Sequence, residues 1–256
     1  MANCAEFSRS TAGRRPAAAG RLNRRAFLKW LALSAAANAA TALAACAAAA
    51  PPAPTATVPA GLDGLAGLLI MPRAAWEAVA PNLNSPGEHG LYDPRTNPEG
   101  WRIYDQPLAG LLNTVVIHHS ALPLSDGPRE IQAKHMYDKG YADIGYHFVI
   151  DAAGLIYEGR SLGVRGAHTG GHNTGTVGVC LMGNFEDAAP PGVQAASAQA
   201  LAQALKDHYA LTHLAGHRDF QPDETVCPGK YLEPQLPSWA QASGLQFGTG
   251  GYVAPK

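Results

Sequence analysis

The sequence predicts an α/β fold in which a mixed central β-sheet is flanked by helices. Residues 114–120, 146–150 and 176–182 are apolar and rich in β-branched side chains, as buried strands are. Helical spacing of apolar residues occurs after Pro128 and across residues 194–208. Because strand and helix signals alternate along the chain, a sheet covered by helices is the expected arrangement.

The first helix is predicted after the strand at 114–120. Ser125 or Asp126 would cap it, because a side-chain oxygen there accepts a hydrogen bond from the first turn. Pro128 fits the first turn, where a missing N–H is tolerated, and Gly140 follows the end of the helix.

A hairpin and a long loop complete the predicted domain. The turn Asp-Ala-Ala-Gly at 151–154 separates the apolar segments 146–150 and 155–158, which predicts two adjacent strands. Residues 81–113 are rich in Pro, Asn and Gly and predict a long surface loop with one short strand at 102–104. Loops of this length in a compact domain are usually functional or mobile.

Charge is unevenly distributed along the 256 residues. Residues 1–45 hold seven of the 19 basic side chains and one acid, Glu6, so the remainder has a formal charge of −7. A nucleic-acid partner needs a basic face for its phosphates, and this balance argues against one. The apolar content of 46% suits a chain that builds its own core, and we expect a monomer.

The N-terminal 45 residues have the composition of an export signal. Arg24 and Arg25 precede an apolar stretch at 30–45 that is shorter than the roughly 20 residues needed to span a bilayer. Paired arginines ahead of Phe-Leu-Lys resemble the twin-arginine signal of bacteria. The alternative is a basic N-terminus followed by a membrane anchor.

Cys46 closes this segment within Leu-Ala-Ala-Cys, which resembles a lipobox. At such a site the cysteine becomes the lipidated first residue of a bacterial lipoprotein, anchored to a membrane of the cell envelope. The alternative is cleavage at a nearby Ala-x-Ala site, which would release a soluble secreted or periplasmic protein.

The residues that follow Cys46 are rich in Ala and Pro and predict an extended tether. The predicted division is a signal peptide with lipobox (1–45), a tether (46–67), a globular domain (68–245) and a C-terminal tail (246–256).

Three side chains form a candidate zinc donor set. His118 ends a rigid strand, while His217 and Cys227 lie ten residues apart in a segment irregular enough for both to reach one ion. Two His and one Cys, with a fourth position open to water, is a recognised catalytic zinc site. Singly, these residues have ordinary interpretations as a core histidine, a loop histidine and a free thiol. A structural zinc site is disfavoured because only three donors are apparent.

Short motifs in order along residues 70–240 carry a family resemblance. They are Arg-Ala-Ala-Trp (73–76), Val-Ile-His-His-Ser (116–120), Gly-Tyr-His-Phe (145–148), Gly-Arg (159–160) with Gly-Ala-His (166–168) and Asn173, Val-Gly-Val (177–179) with Gly-Asn-Phe (183–185), Gly-His-Arg-Asp (216–219) and Thr-Val-Cys-Pro-Gly (225–229). Together they resemble the zinc-dependent N-acetylmuramoyl-L-alanine amidases, the family that includes phage lysozyme-type amidases and peptidoglycan recognition proteins. Segment 68–245 would then be one zinc amidase domain.

The resemblance implies hydrolysis of the amide between N-acetylmuramic acid and L-alanine in peptidoglycan or muropeptides. His118, His217 and Cys227 fall on the family's zinc ligands. Tyr146 falls on a tyrosine that hydrogen-bonds the zinc-bound water or the oxyanion, and Thr225 on a Lys or Thr that helps to hold the developing negative charge. Their ordinary alternatives are a core aromatic and a loop residue.

Other positions are less sharply defined by the resemblance. His119, His168 and Asn173 fall where relatives line the peptide groove, although each is also an ordinary polar loop residue. Some branches place a glutamate base where this chain has Cys180, so the proton acceptor stays open between Tyr146, a neighbouring His and zinc hydroxide. We expect Cys180 to be a small buried hydrophobe without a disulfide.

The alternative to an enzyme is a recognition module that binds peptidoglycan without cutting it, as some relatives do. Such relatives commonly lack the cysteine ligand. Because Cys227 is present, the sequence favours hydrolysis.

Overall fold

The structure, a computed structural model, describes Leu62, Leu65 and residues 67–255, and it confirms the predicted α/β class. Within this part the strands form one mixed sheet in the order β1-β4-β3-β5-β2-β6-β7, with only the predicted hairpin of β3 and β4 antiparallel. The strands are β1 (Ile70–Met71), β2 (Thr114–His119), β3 (Phe148–Ile150), β4 (Ile156–Glu158), β5 (Thr176–Leu181), β6 (His213–Gly216) and β7 (Gln246–Phe247).

Helices flank this sheet. They are α1 (Pro128–Ala133), continued by a π-helical turn (Lys134–Asp138), α2 (Gly192–Tyr209), α3 (His217–Phe220) and α4 (Leu236–Ala242), with 3-10 turns at Arg73–Trp76 and Glu233–Gln235. The predicted caps of α1 are wrong, because Gly127 is the N-cap and its N–H donates to the Glu130 carboxylate at 2.8 Å. No helix in the described part of the chain is long and apolar enough to cross a membrane.

The main core lies between one sheet face and helices α2 and α4. Val115 and Ile117 of β2 point into it, whereas Val116 packs on the opposite face. Leu62 and Leu65 are also buried in the main core, although both fall in the predicted tether 46–67. The packed part of the chain therefore begins before Leu68, since burial of the two leucines removes apolar surface from water within a stretch whose composition predicts an extended tether.

Strand β2 lies between β5 and β6, and its pleat decides what each histidine faces. Neighbouring residues of a strand point to opposite faces. His118 therefore lies on the face of Val116, and His119 on the face of Ile117. The buried Cys180 is the register partner of His118 on β5.

The loop predicted at 81–113 contains no helix or strand, but it is held at a buried ion pair. Glu88 binds Arg160 through both carboxylate oxygens, and both side chains are buried. The Arg160 guanidinium also donates to the Ile144 carbonyl at 2.9 Å and lies over the Trp101 ring. The predicted strand at 102–104 is reduced to a single bridge between Ile103 and Val164.

The sheet extends into the predicted tail 246–256, because β7 pairs with β6 at the sheet edge. Beyond it, the Tyr252 hydroxyl donates to the Thr174 carbonyl at 2.8 Å. The Tyr252 ring packs on His172 and Phe220, with ring centroids 5.2 and 5.7 Å away. The C-terminal segment therefore packs against the glycine-rich loop at 166–175.

Glu88→Gln tests the role of the ion pair in stability. The free energy of unfolding should fall by about 3 kcal/mol or more, because Arg160 would keep a buried charge without its counter-ion. Urea unfolding followed by circular dichroism measures the change. Glu77→Gln is the matched control, since Glu77 pairs with Arg129 at an exposed site and such a pair contributes less than about 1 kcal/mol. Equal losses in the two variants would show that the buried pair does not anchor the loop.

Candidate metal centre

The three predicted ligands converge at one end of the sheet. One donor atom from each of His118, His217 and Cys227 lies within 4.8 Å of the others. His118 is near the end of β2, and His217 directly follows β6, the parallel neighbour of β2. Carboxyl ends of neighbouring parallel strands meet at the same sheet edge, which brings the imidazoles together, with ring centroids 4.7 Å apart.

Cys227 completes the set from the loop after α3. Its Sγ lies 3.6 Å from His118 Nδ1. Two such donors on a tetrahedral zinc ion would be about 3.5 Å apart, given zinc–sulfur and zinc–nitrogen bonds of about 2.3 and 2.0 Å. The donor types therefore fit a zinc ion, and the separation of Cys227 Sγ and His118 Nδ1 matches its spacing.

Each candidate imidazole ligand has a partner on its second nitrogen. His118 Nε2 lies 3.1 Å from His168 Nδ1, and His217 Nε2 lies 2.7 Å from Gln221 Oε1. A proton on each Nε2 satisfies these contacts and leaves both Nδ1 lone pairs free for an ion. Such outer partners fix the ring orientation of metal-binding histidines.

The His168 ring fits a space that two glycines leave open. A Cβ on Gly166 or Gly178 would approach the ring to 2.4 or 2.5 Å, so a side chain at either position would displace it. Asn173 holds the start of the loop, since its Oδ1 accepts from the His168 and Thr169 N–H groups at 2.8 Å. His168 and Asn173 both line the cleft described below, and His168 in addition orients His118.

Burial has opposite effects on the donors. It lowers the pKa of His118 well below the ordinary value, and the charge of His217 adds to this. Burial raises the pKa of the Cys227 thiol to about 12, against a hydrogen bond from the His119 N–H. The imidazoles are therefore neutral at pH 7, as ligands must be, while the thiol needs a nearby cation to ionise.

Tyr146 lies beside this cluster. Its ring centroid is 5.0 Å from that of His118 and 5.1 Å from that of His135. Burial raises the Tyr146 pKa well above its usual value, and the neighbouring thiols of Cys180 and Cys227 raise it further. A phenol in these surroundings donates a hydrogen bond and is a poor proton acceptor. Cys180 is buried and free, as expected, and so is Cys227.

Thr225 and His119 are less directly involved. The Thr225 hydroxyl accepts from the Cys227 N–H at 3.1 Å, which orients the loop that carries the thiol. His119 is buried, and its Nδ1 accepts from the Phe185 N–H at 3.2 Å. It faces away from His118, and its ring lies against Phe185 of the main core, so the geometry gives it a structural contact instead of the predicted substrate contact.

A cleft of about 410 Å³ is lined in part by His217, one of the three donors. One wall comes from the long loop, through Gly87 to Glu88 and Pro98 to Glu99, and the other from residues 165–171, 173 and 174. Its other lining residues are His135, Lys139, Tyr141, Tyr146, His217 and Gln221.

Sequence reasoning missed His135 and Gln221. His135 is buried, and its Nδ1 accepts from the Gly145 N–H at 2.9 Å, so it reads from sequence as an ordinary helix position. Gln221 had a usable signal, since it stands four residues after His217, the spacing of neighbours on a helical turn.

Comparisons with known proteins agree with this geometry. A family model described as N-acetylmuramoyl-L-alanine amidase matches residues 109–230. Peptidoglycan-recognition protein SD of Drosophila simulans is 33% identical over 185 residues, which cover 67% of this chain and 88% of that protein. The crystal structure of Drosophila peptidoglycan recognition protein SD superposes with a TM-score of 0.54 at 30% identity, covering 67% of this chain and 95% of that chain.

A variant of Drosophila PGRP-LB in complex with tracheal cytotoxin is also similar, with a TM-score of 0.52 and 29% identity over 66% of this chain and 94% of that chain. The sequence identity, the coverage and the shared fold support the same family that the sequence motifs resemble. The chain belongs to the N-acetylmuramoyl-L-alanine amidase family, together with the peptidoglycan-recognition proteins.

Proposed function

We propose that this chain is a zinc-dependent amidase that hydrolyses the bond between N-acetylmuramic acid and L-alanine in peptidoglycan or muropeptides. The observation that carries the proposal is the convergence of His118, His217 and Cys227 beside a cleft that His217 lines. Three protein donors with room for a fourth ligand is the arrangement of catalytic zinc sites, whereas structural sites are closed by four.

The proposed roles follow from the contacts of each residue. His118, His217 and Cys227 would hold the ion, which would supply a Lewis acid for the amide carbonyl and for activation of a water molecule. His168 and Gln221 keep the two imidazoles in the orientation and tautomer needed to bind it.

Tyr146 would donate a hydrogen bond to the oxyanion as it forms, because its raised pKa keeps the phenol protonated. The Thr225 hydroxyl is the second proposed contact to the developing charge. The cleft residues His168 and Asn173 are the proposed contacts to the peptide, and His119 is left out of that set.

The substrate class rests on the cleft and on the family. A peptide attached to a sugar can lie along a groove between the long loop and the glycine-rich loop, where glycines let a backbone approach closely. One relative is described in complex with tracheal cytotoxin, and we extend recognition of a muropeptide to this chain.

We further propose that the protein is exported and anchored in the cell envelope through lipid on Cys46. The signal peptide at 1–45, Cys46 and most of the tether at 46–67 lie outside the described residues. Their support is the sequence pattern alone. A tether behind a lipid anchor would let the amidase domain at 68–245, with its adjoining tail at 246–256, reach peptidoglycan some distance from the membrane.

Cys227→Ser tests catalysis. Release of stem peptide from purified sacculi, measured by mass spectrometry, should fall by more than about 100-fold, beyond the range for loss of an outer partner of a metal ligand. Bound zinc, measured by elemental analysis, should be lost while sacculus binding persists. The control Cys180→Ala removes the other buried thiol and should keep its zinc. Full hydrolysis by Cys227→Ser after exhaustive chelation would overturn the mechanism, and a wild-type protein that binds sacculi but never cuts them would be a recognition module.

Zinc affinity should increase with pH. Because burial holds the Cys227 pKa at about 12 and lowers the pKa of both histidines, zinc binding displaces one proton, from the thiol. The apparent affinity should therefore increase about tenfold for each pH unit between about 7 and 9. Competition with a chromophoric chelator measures this slope, and an affinity independent of pH would mean that the thiol is already ionised.

Lipidation is tested by growth with a radiolabelled fatty-acid precursor. The wild-type chain should carry label and sediment with membranes, whereas Cys46→Ala should lose the label, because the thiol is the acylated atom. Cys4→Ala, the matched control within the N-terminal segment, should keep it. An unlabelled wild-type chain would favour release as a soluble protein.

A further inference from the structure

Two cations line the cleft, Lys139 and Arg165, and neither has a carboxylate partner among the described residues. Lys139 follows the π-helical turn, its side chain is exposed, and none of the described residues places a carboxylate oxygen within 4.0 Å of its ammonium group. Its ring contact is with Tyr141, whose centroid is 6.0 Å from Nζ. The nearby Lys134 differs, because it pairs with Asp138 at 3.5 Å.

The other charged side chains of the cleft already have hydrogen-bond or ion-pair partners, or lie on the long loop. Arg165 donates to the carbonyls of Pro98 and Gly100 at 3.0 and 2.8 Å and lies over the Tyr92 ring. Glu88 is neutralised by Arg160. The remaining acid in the lining, Glu99, is exposed on the long loop and forms no ion pair with Lys139.

Lys139 shares the cleft with one of the candidate metal ligands. It lines the cleft together with His217, Gln221 and Tyr146. Its positive charge also lowers the pKa of His217 and of Cys227, so its field reaches the donors. A group bound by this ammonium would therefore belong to the first residues beyond the bond that is cut.

The chemistry of a stem peptide supplies a matching group there. The residue after L-alanine is a glutamate joined through its side-chain carboxyl, so its α-carboxylate is free unless it is amidated. An ammonium group binds a carboxylate by a charge-assisted hydrogen bond, and a carboxamide offers it much less.

We propose that Lys139 is a specificity-determining residue that binds the free α-carboxylate of the second stem residue, so that the cleft prefers acidic muropeptides to their amidated forms. This inference rests on the proposed amidase function, because it assigns that carboxylate to the peptide on which the zinc site acts. Lys139 discriminates between charged and neutral substrates and does not act at the reacting carbonyl.

The test uses a matched pair of substrates, N-acetylmuramoyl-L-alanyl-D-isoglutamate and the corresponding D-isoglutamine. The wild-type protein should prefer the acid by about tenfold in kcat/KM, with the difference in KM. In Lys139→Met the ratio should fall to about one, and in Lys139→Arg it should largely return. Lys134→Met, which removes an ammonium that already has a partner, should keep the wild-type ratio.

Two results would overturn the inference. A Lys139→Met protein that keeps the preference would show that another group reads the carboxylate. An equal fall of kcat on both substrates with the ratio retained would mean that Lys139 acts at the reacting carbonyl instead.

Failure of the amidase proposal is distinguishable from failure of this one. Calorimetric binding of the same two compounds to Cys227→Ser and to Cys227→Ser/Lys139→Met measures the preference without hydrolysis. A preference of the first protein for the acid that is lost in the second supports the role of Lys139 even if no cleavage is ever detected. Equal affinities for acid and amide in the first protein contradict it.

Discussion

The parallel pairing of β2 with β6 is the constraint on which the candidate centre depends. Ile117 is the register partner of Gly216, so His118 and His217 each follow the same rung of the ladder. Backbone hydrogen bonds at the middle of the sheet thus fix the separation of two imidazoles before any ion is bound. The thiol is added by a loop in which the Cys227 Sγ accepts from the His119 N–H and the Cys227 N–H donates to the Thr225 hydroxyl. Such prior placement limits the conformational entropy that binding an ion must overcome.

Desolvation gives this centre its chemical character. The same burial that keeps the histidines neutral also keeps the Tyr146 phenol and the Cys227 thiol protonated. A divalent cation reverses only the last of these effects directly, because it favours thiolate over thiol. Two imidazoles and a thiolate would suit a metal that accepts sulfur together with nitrogen, while a hard cation that prefers oxygen ligands would gain little from them.

The sequence was informative wherever the signal was local. The buried strand at 114–120, the α2 helix and the hairpin are long or regular enough for composition to predict them, and the three donors stand out by chemistry. The short strands β1, β6 and β7 were not predicted, because two to four residues carry too little periodicity and pair only through tertiary contacts. The same reason applies to the burial of Leu62 and Leu65 and to the contact between His118 and His168. His119 shows the limit of motif reading, since adjacent histidines on a strand face opposite sides.

The contact between Tyr252 and Thr174 has a practical consequence. Thr174 adjoins Asn173, which holds the loop around His168, so the last turns of the chain brace the inner wall of the groove. An affinity tag fused to the C-terminus would add bulk beside this brace, and a purification handle at the opposite end of the domain is the safer choice for kinetic work. The terminal segment, which looks dispensable in sequence, therefore supports one wall of the binding groove.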